Sequence, residues 1–510
     1  MNAHIRLVDL LDHATVRWPD RLAFSDAQRR VTYTELQNDV GAAAGAMQAK
    51  GIGPGDRVAT YAPKQYENVV VLLAANRAGA VFVPVNPQLK EHQVVHIVKD
   101  SGARMLATNA HRLRRLPALQ DVAGLGIWLL EEPPAHGALR EVPAVDSDPA
   151  AILYTSGSTG KPKGVVLSQR NLVSGAQSVA AYQGLHEDDV ILGVLPLSFD
   201  AGLSQLTTAL ATGACYTPLD FLQHAEVPAH CETHGVTSIT GVPPLWTQLA
   251  SATWPAPTAA RIRRWANTGG HMPTPLLHRL QATYPNAKPY LMYGLTEAFR
   301  STYLSPDDVA QRPGSIGKAV PNAEILVLRA DGTPCDVDEP GELVHRGAFV
   351  TLGYWNDPEL THTRFRPLPS VHASIPHTDR AVWSGDIVRR DAEGYLYFVA
   401  RGDDMIKASG YRVSPTEVEE ILLACPDVVE AAALGAPHPM LGQAIVACVQ
   451  SALEAETCRT AVLRACRERL PSYMVPSFID VVQSPLPRNP NGKIDRTLLK
   501  QRHANVFMTE

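Results

Sequence analysis

The feature that most limits the folds open to this chain is the way its hydrophobic residues change period along the first four hundred positions. Leu7, Leu10, Leu11 and Ala14 stand at helical spacing, whereas Val81-Phe82-Val83-Pro84-Val85 is an unbroken apolar run that stops at Asn86-Pro87 and reads as a short buried strand. Helix and strand patterns go on alternating, which favours an α/β architecture of layered, mostly parallel sheets covered by helices. At 510 residues the chain exceeds what one core organises, so a second domain is expected. Glu131 to Pro149 and Pro367 to Arg380 carry prolines and scattered charges and are expected as surface loops.

Past Arg401 the pattern changes to a charged Gly402-Asp403-Asp404 stretch followed by a compact run. A boundary there gives a large domain, 1–402, and a small α+β domain, 403–510. In the latter, Ser414-Pro415-Thr416-Glu417 has the form of a capping box with proline at the first helical position, and Val418, Ile421, Leu422 and Cys425 supply an apolar stripe. Val428 to Leu434 and Ala444 to Val449 read as strands beside that helix.

Composition removes several function classes. Lys and Arg total 46 against 51 for Asp and Glu, with no long one-sign run, so nothing calls for a nucleic-acid or anionic-membrane partner. The seven cysteines form no Cys-x-x-Cys pair and are expected as reduced thiols in a cytoplasmic protein. Arg6, Asp9, Asp12 and Arg17 occupy the place where a signal peptide needs an apolar run, and the longest apolar stretch, Val69 to Ala75, is too short to span a bilayer.

The chemistry concentrates after the apolar strand Ala151-Ile152-Leu153-Tyr154, in Thr155-Ser156-Gly157-Ser158-Thr159-Gly160-Lys161-Pro162-Lys163-Gly164. These ten residues hold three glycines, four hydroxyls and two lysines. Glycine lets backbone N–H groups turn toward an anion, hydroxyls add directed donors and lysine adds charge, which together suit a polyphosphate. The spacing fits neither the P-loop nor the Gly-x-Gly-x-x-Gly dinucleotide pattern.

The segment resembles the signature loop of the adenylate-forming superfamily, which groups acyl-CoA synthetases, peptide-synthetase adenylation domains and firefly-type luciferases. The resemblance extends over nearly the whole chain: Val31-Thr32-Tyr33-Thr34-Glu35-Leu36, Arg77-Ala78-Gly79-Ala80 through Pro84, and Tyr293-Gly294-Leu295-Thr296-Glu297 fall in the family's order. It implies an acid activated by ATP as its acyl-adenylate and then passed to a thiol, with the small domain moving between the two steps.

Resemblance assigns Thr155, Ser156, Gly157, Ser158, Thr159, Gly160 and Lys161 to the phosphates, with Thr155 also near the metal. Glu297 goes to Mg²⁺, a cation that prefers hard oxygen ligands. Thr296 goes to the α-phosphate, Tyr293 and Gly294 to adenine, and Asp386, in Ser384-Gly385-Asp386 before the strand pattern Ile387-Val388-Arg389, to the ribose hydroxyls. Arg401 and Arg412 suit fork-shaped contacts with ribose and phosphate, although either also has Asp403 and Asp404 as neighbours in sequence. Lys493, in the terminal loop Pro487-Arg488-Asn489-Pro490-Asn491-Gly492-Lys493, resembles the lysine that stabilises charge during adenylation. Asp403 takes the hinge position, and Gly410 lines the channel for the thiol arm.

The acid pocket implied by the family contains Asp200, Ala201, Ser204, Gly269, Met292 and Arg300. Val194-Leu195-Pro196-Leu197 is expected to present Ser198-Phe199-Asp200 at a strand end. Two outcomes stay open there: Asp200 receives the ammonium of an amino acid, or Asp200 and Arg300 neutralise one another and the acid is an uncharged acyl chain. The chain departs from the family at Ser198-Phe199-Asp200, Ala400 and Gln169. A luciferase-like oxidase and a catalytically silent binding module are the competing readings. The acceptor is expected to be coenzyme A or a separate carrier protein, because no carrier domain is fused.

Overall fold

The computed structural model describes residues 5–508 except 133–136, 157–161, 369–378, 402–403, 405, 409–410, 439–441, 471 and 490–491. Two large sheets and the helices between them form the body of the protein. One has nine strands, in which Lys288–Tyr293, Arg264–Asn267, Ser238–Gly241, Val190–Gly193, Cys215–Pro218 and Leu22–Ser25 run parallel. The other has seven, with a parallel run Pro149–Ser156, Val81–Pro84, Arg57–Tyr61, Met105–Thr108 and Gly126–Leu129.

Helices Leu7–Arg17, Tyr33–Ala49, Tyr66–Arg77, Gln169–Gln183 and Asp200–Thr212 share one continuous apolar core with both sheets. Local sequence starts and stops them. Thr32 accepts from the Glu35 amide while the Glu35 carboxylate accepts from the Thr32 amide, a reciprocal cap for Tyr33–Ala49. Gly184, in the left-handed region at φ 60°, ends Gln169–Gln183.

A third sheet departs from the parallel expectation. Ala323–Leu328, Gly341–Gly347, Asp379–Arg390, Phe365–Leu368 and Leu396–Arg401 pair antiparallel throughout, because short turns rather than crossover helices join neighbours such as Asp379–Arg390 and Leu396–Arg401. Both described ends of the expected loop at 367–380 are strand, and its residues 369–378 lie outside the described residues. The other expected loop, 131–149, is without regular elements where it is described and leads into Pro149–Ser156.

From Ile406 onward the strands belong to a fourth, mixed sheet: Tyr411–Val413, Ile406–Ala408, Gly442–Ser451, Val428–His438 and Phe478–Val482. Helices Pro415–Leu423 and Ala455–Arg469 cover one face around Val418, Leu422, Ile445 and Val462. The expected boundary at 402/403 lies outside the described residues. Ser414 is the N-cap of Pro415–Leu423, accepting from the Glu417 amide, and its hydroxyl donates back to the Val399 carbonyl on the large domain's last strand. His271 Nε2 of the first part and Glu420 Oε1 of the second lie 3.3 Å apart.

All seven cysteines are free thiols. Among the described residues no helix is long and apolar enough to cross a membrane.

Candidate active site

The sequence pattern places Asp386 before a strand; the structure places it inside one. Glu342 pairs with Ile387 and Val344 with Trp383, so a single residue, Leu343, faces Ser384, Gly385 and Asp386 together. Such a bulge needs its backbone groups satisfied elsewhere. The Ser384 hydroxyl donates to the Leu343 carbonyl at 2.7 Å and accepts from the Asp386 amide at 3.0 Å, while the Gly385 amide donates to Glu342 Oε1 at 2.9 Å. Gly385 holds φ 74°, a left-handed conformation that favours glycine.

The bulge aims Asp386 at Tyr293, whose hydroxyl donates to Oδ2 at 2.5 Å. Arg401 Nε lies 3.1 Å from Oδ1, yet the alignment is too poor for a hydrogen bond, and this buried oxygen accepts none among the described residues. Burial pushes the Asp386 carboxyl up, while Arg401, the Tyr293 hydrogen bond, Lys493 and Arg364 pull it down. Arg401 forms an ion pair with Asp386, and Asp404 pairs with Lys500.

Tyr293 closes the strand Lys288–Tyr293, and Thr296–Ala298 follow as a single 3-10 turn. Glu297 is half-buried and its carboxylate accepts from the Tyr354 hydroxyl at 2.6 Å. Tyr354 lies on the two-residue strand Gly353–Tyr354, which pairs with Val165 and Val166, and the Trp355 amide donates to the Gly164 carbonyl at 2.7 Å. Glu297 is thereby tied to the strand that leaves the phosphate loop. Thr155 Oγ1 lies 3.5 Å from the Lys163 carbonyl at the base of that loop. Gly157, Ser158, Thr159, Gly160 and Lys161 lie outside the described residues, as do the Ser156 side chain, the Arg412 side chain, Asp403 and Gly410.

A cavity forms between helices Gln169–Gln183 and Asp200–Thr212 and the strands Ser238–Gly241 and Lys288–Tyr293. Of the six residues expected in the acid pocket, Ala201, Ser204, Met292 and Arg300 line this tight cavity. The anticipated strand through Val194–Leu197 stops at Gly193. The Val194 carbonyl accepts from Lys64 Nζ and the Leu195 amide donates to Gln205 Oε1, so side chains take the bonds a ladder would use. Asp200 opens the next helix, where the dipole favours an anion.

Asp200 and Arg300 are buried and paired: Nη1 is 3.3 Å from Asp200 Oδ2, and Nη2 donates to the Asp200 carbonyl at 3.2 Å. Arg300 Nη1 also donates to the Phe299 carbonyl at 2.6 Å, while Nε is buried and has no hydrogen-bond partner among the described residues. An unsatisfied N–H of this kind costs about 1–3 kcal/mol. Phe299, a non-glycine residue at φ 41°, sets the turn. Its ring fills the space beside Gly175, where a Cβ would stand 2.4 Å from it. On the other side, Ser301 Oγ is 3.0 Å from Nδ1 of the fully buried His345, whose imidazole burial pushes down to about 3.

Gly269 does not line this cavity. It holds φ 73° in the cleft between the domains, and a Cβ there would lie 3.7 Å from Lys493 Cε. Lys493 hangs on a tight turn: its amide donates to Asn489 Oδ1 at 3.1 Å and its carbonyl accepts from the Asn489 amide at 2.8 Å. Its side chain meets solvent within the cleft. The surrounding protein pushes the ammonium's pKa down; Asp200 opposes this most, Arg401 reinforces it, and Asp386 and Glu297 also oppose it. The four charged side chains chosen from four distant segments, Asp200, Glu297, Asp386 and Lys493, therefore face one cleft.

Sequence reasoning missed Tyr354 and most of the polar wall of the cavity. Gln183, Gln205, Thr208, Ser238 and Thr240 line it as well. A signal for two pairs was present: Ser204 and Thr208 are four apart on one helix, and Ser238 and Thr240 are two apart on a largely buried strand.

The whole chain is similar to known proteins. The family described as AMP-binding enzyme matches residues 11–355, and AMP-binding enzyme C-terminal domain matches residues 417–493. Sulfoacetate–CoA ligase of Cupriavidus necator is 32% identical over 97% of this chain and 97% of its own. Surfactin synthase subunit 2 of Bacillus subtilis is 29% identical over 97% of this chain, which spans only 14% of that protein. o-Succinylbenzoate CoA synthetase from Bacillus subtilis, solved with its acyl-adenylate, superposes with a TM-score of 0.84 at 28% identity, covering 96% of this chain and 97% of that one. The same synthetase solved with ATP and magnesium gives 0.83.

Fold and site together define an AMP-forming acid–thiol ligase. The chain belongs to the AMP-binding enzyme family, the adenylate-forming superfamily that its motifs resemble.

Proposed function

We propose that Lys493 drives the first half-reaction, in which a carboxylate attacks the α-phosphate of MgATP and pyrophosphate leaves. The observation that carries this is the convergence of Lys493 with Asp200, Glu297 and Asp386 on one cleft. A cation held there offsets the negative charge that builds up on the attacking carboxylate and the phosphate. Asp386 keeps a buried oxygen without a hydrogen bond, suited to a ribose hydroxyl donor. The donor set fits Mg²⁺: Glu297, with Thr155 and Thr296 near it in the family's arrangement, offers hard oxygen ligands. When bound, the metal would neutralise phosphate charge. Tyr354 fixes the Glu297 carboxylate without cancelling its charge.

The second half-reaction is assigned to a different position of the small domain, turning at Asp403 on the boundary between 1–402 and 403–510, with Gly410 beside the thiol arm and Arg412 near the phosphate. Coenzyme A is favoured as acceptor over a carrier protein, since the end-to-end relative is a CoA ligase while the peptide synthetase matches over a fragment. The Asp200–Arg300 pair favours an acid without an α-ammonium, because the pocket carboxylate already has its cation.

The test is acid-dependent ATP–pyrophosphate exchange, followed by AMP release with coenzyme A, pantetheine or a phosphopantetheinylated carrier protein, with sulfoacetate among the acids. Release that depends on coenzyme A is expected. Exchange without any thiol-dependent AMP release would refute the ligase assignment, and light emission with oxygen would replace it by an oxidase.

A further inference from the structure

We propose that Cys448, Asp480 and His503 form a binding site for a zinc-like divalent cation, one that uses none of the residues assigned to MgATP and does not depend on the ligase reading. Among the described residues these are the only three histidine, cysteine or acidic side chains whose ligand atoms gather closely enough to share one ion, all within 4.8 Å of one another. The fold brings them together from three elements. Cys448, on Gly442–Ser451, and Asp480, on Phe478–Val482, are direct partners in neighbouring parallel strands, so both side chains leave the same face of the sheet. His503 follows the helix Arg496–Arg502 and lies over them, with Nε2 2.9 Å from Asp480 Oδ2 and Nδ1 3.9 Å from Cys448 Sγ.

The imidazole is already oriented as a ligand's is. Nδ1 donates to the Leu499 carbonyl at 2.9 Å, which leaves Nε2 as the coordinating nitrogen. Metal-bound histidines are held in the same way, through the ring N–H that the metal does not use. Bonds of about 2.0–2.3 Å in a tetrahedral zinc site put neighbouring ligand atoms about 3.3–3.8 Å apart, so Nε2 and Oδ2 need to open by only about half an ångström. A sulfur, a nitrogen and an oxygen together suit zinc, whereas magnesium takes oxygen ligands. Cys448 and His503 are buried, while Asp480 is partly exposed, which gives the ion an entrance and a water as fourth ligand. Burial and the neighbouring Asp480 push the Cys448 thiol up to about 12. The entering ion therefore forms its bond to sulfur as the thiol proton leaves to solvent. Because the helix Arg496–Arg502 begins just after Lys493, an ion held here would pin the segment that follows that lysine.

The experiment titrates zinc into the tag-free, metal-stripped full chain against a chromophoric chelator, without ATP, and repeats the titration with cobalt. One equivalent of zinc is expected, bound about 100-fold or more tighter than by Cys448→Ala or His503→Gln, and about tenfold or more tighter than by Asp480→Asn. Excess magnesium should not displace it. Cobalt should give the near-ultraviolet absorption of a thiolate–cobalt bond, absent from Cys448→Ala. Zinc should also raise the melting temperature of the wild type and slow amide exchange over residues 496–503, with neither effect in Cys448→Ala. That variant removes a sulfur and no charge and leaves the pair of His503 with Asp480 in place, so it separates an ion site from a plain ion pair even where the other two variants fail to fold. Cys425→Ser, at the one cysteine that is not buried, should bind zinc as the wild type does. No zinc binding, or zinc binding that Cys448→Ala leaves undiminished, overturns the proposal. A cobalt spectrum without the thiolate band, or binding lost in Cys425→Ser, overturns it as well.

Discussion

The carboxylates proposed for the nucleotide and the one proposed for the acid pocket are held by different means. Asp386 and Glu297 each take a hydrogen bond from a tyrosine, Tyr293 and Tyr354, and only Asp386 also has a guanidinium, Arg401, 3.1 Å away. Asp200, on the acid side, is held by the guanidinium of Arg300. A phenol fixes a carboxylate and leaves its negative charge available to a cation or a donor, whereas a guanidinium fixes it and cancels the charge. Lys493 meets both kinds from a turn with few ties of its own. The comparison teaches that Glu297 and the free oxygen of Asp386 stay available to a cation or a hydroxyl donor, whereas Asp200 is already neutralised within the fold.

The largest break of this arrangement is Lys493→Ala. Pyrophosphate exchange should fall by about 100- to 1,000-fold, while thioester formation from supplied acyl-adenylate keeps most of its rate; equal losses in both half-reactions would remove the lysine from the adenylation step. Next in size is Asp386→Ala, which deletes the buried acceptor and should raise the KM for ATP by about 10- to 100-fold, read from initial rates at saturating acid. An unchanged KM would place the ribose elsewhere.

The tyrosines test the asymmetry directly. Tyr293→Phe and Tyr354→Phe each remove one hydrogen bond and should cost about 3- to 10-fold, the first in KM for ATP, the second in the Mg²⁺ concentration needed for half-maximal rate. If both variants altered only the acid KM, the division of the cleft drawn above would be wrong.

The smallest effect on rate, though measurable in stability, concerns His345. Burial lowers its pKa from the usual 6.5 to about 3, so between those values the folded protein binds fewer protons than the unfolded chain. Its contribution is unimpaired above about pH 6.5 and is lost as pH falls, at up to about 1.4 kcal/mol per pH unit. Urea unfolding at pH 7.5 and 5.0 should show a steeper loss for wild type than for His345→Asn. Parallel losses would mean that this imidazole is already charged in the fold.

Much of the site was legible because its residues lie in short local patterns. Tyr293-Gly294-Leu295-Thr296-Glu297 sits where a strand meets a turn and Ser384-Gly385-Asp386 where a strand bulges, and such punctuation is written in glycine and hydroxyl residues. The pairing of Asp200 with Arg300 was one of two outcomes the sequence left open, since a hundred residues separate them and only the fold brings them together. Tyr354 was not legible: its role depends on Gly353–Tyr354 pairing with a strand nearly two hundred residues earlier. The antiparallel third sheet was hidden because strand period alone does not reveal pairing direction.

The bulge opposite Leu343 has a consequence for chain length. Removing two residues from Ser384-Gly385-Asp386 would leave one residue facing Leu343, restore an uninterrupted ladder and abolish the left-handed glycine. By every local criterion that shortened strand is the better sheet. On the role proposed for Asp386 it would also be inert, because that carboxylate takes its present place only where the ladder is broken. Stabilising this protein by regularising its strands and keeping it active are therefore incompatible aims at this position, and a variant library selected for heat resistance alone should lose Asp386's geometry here first.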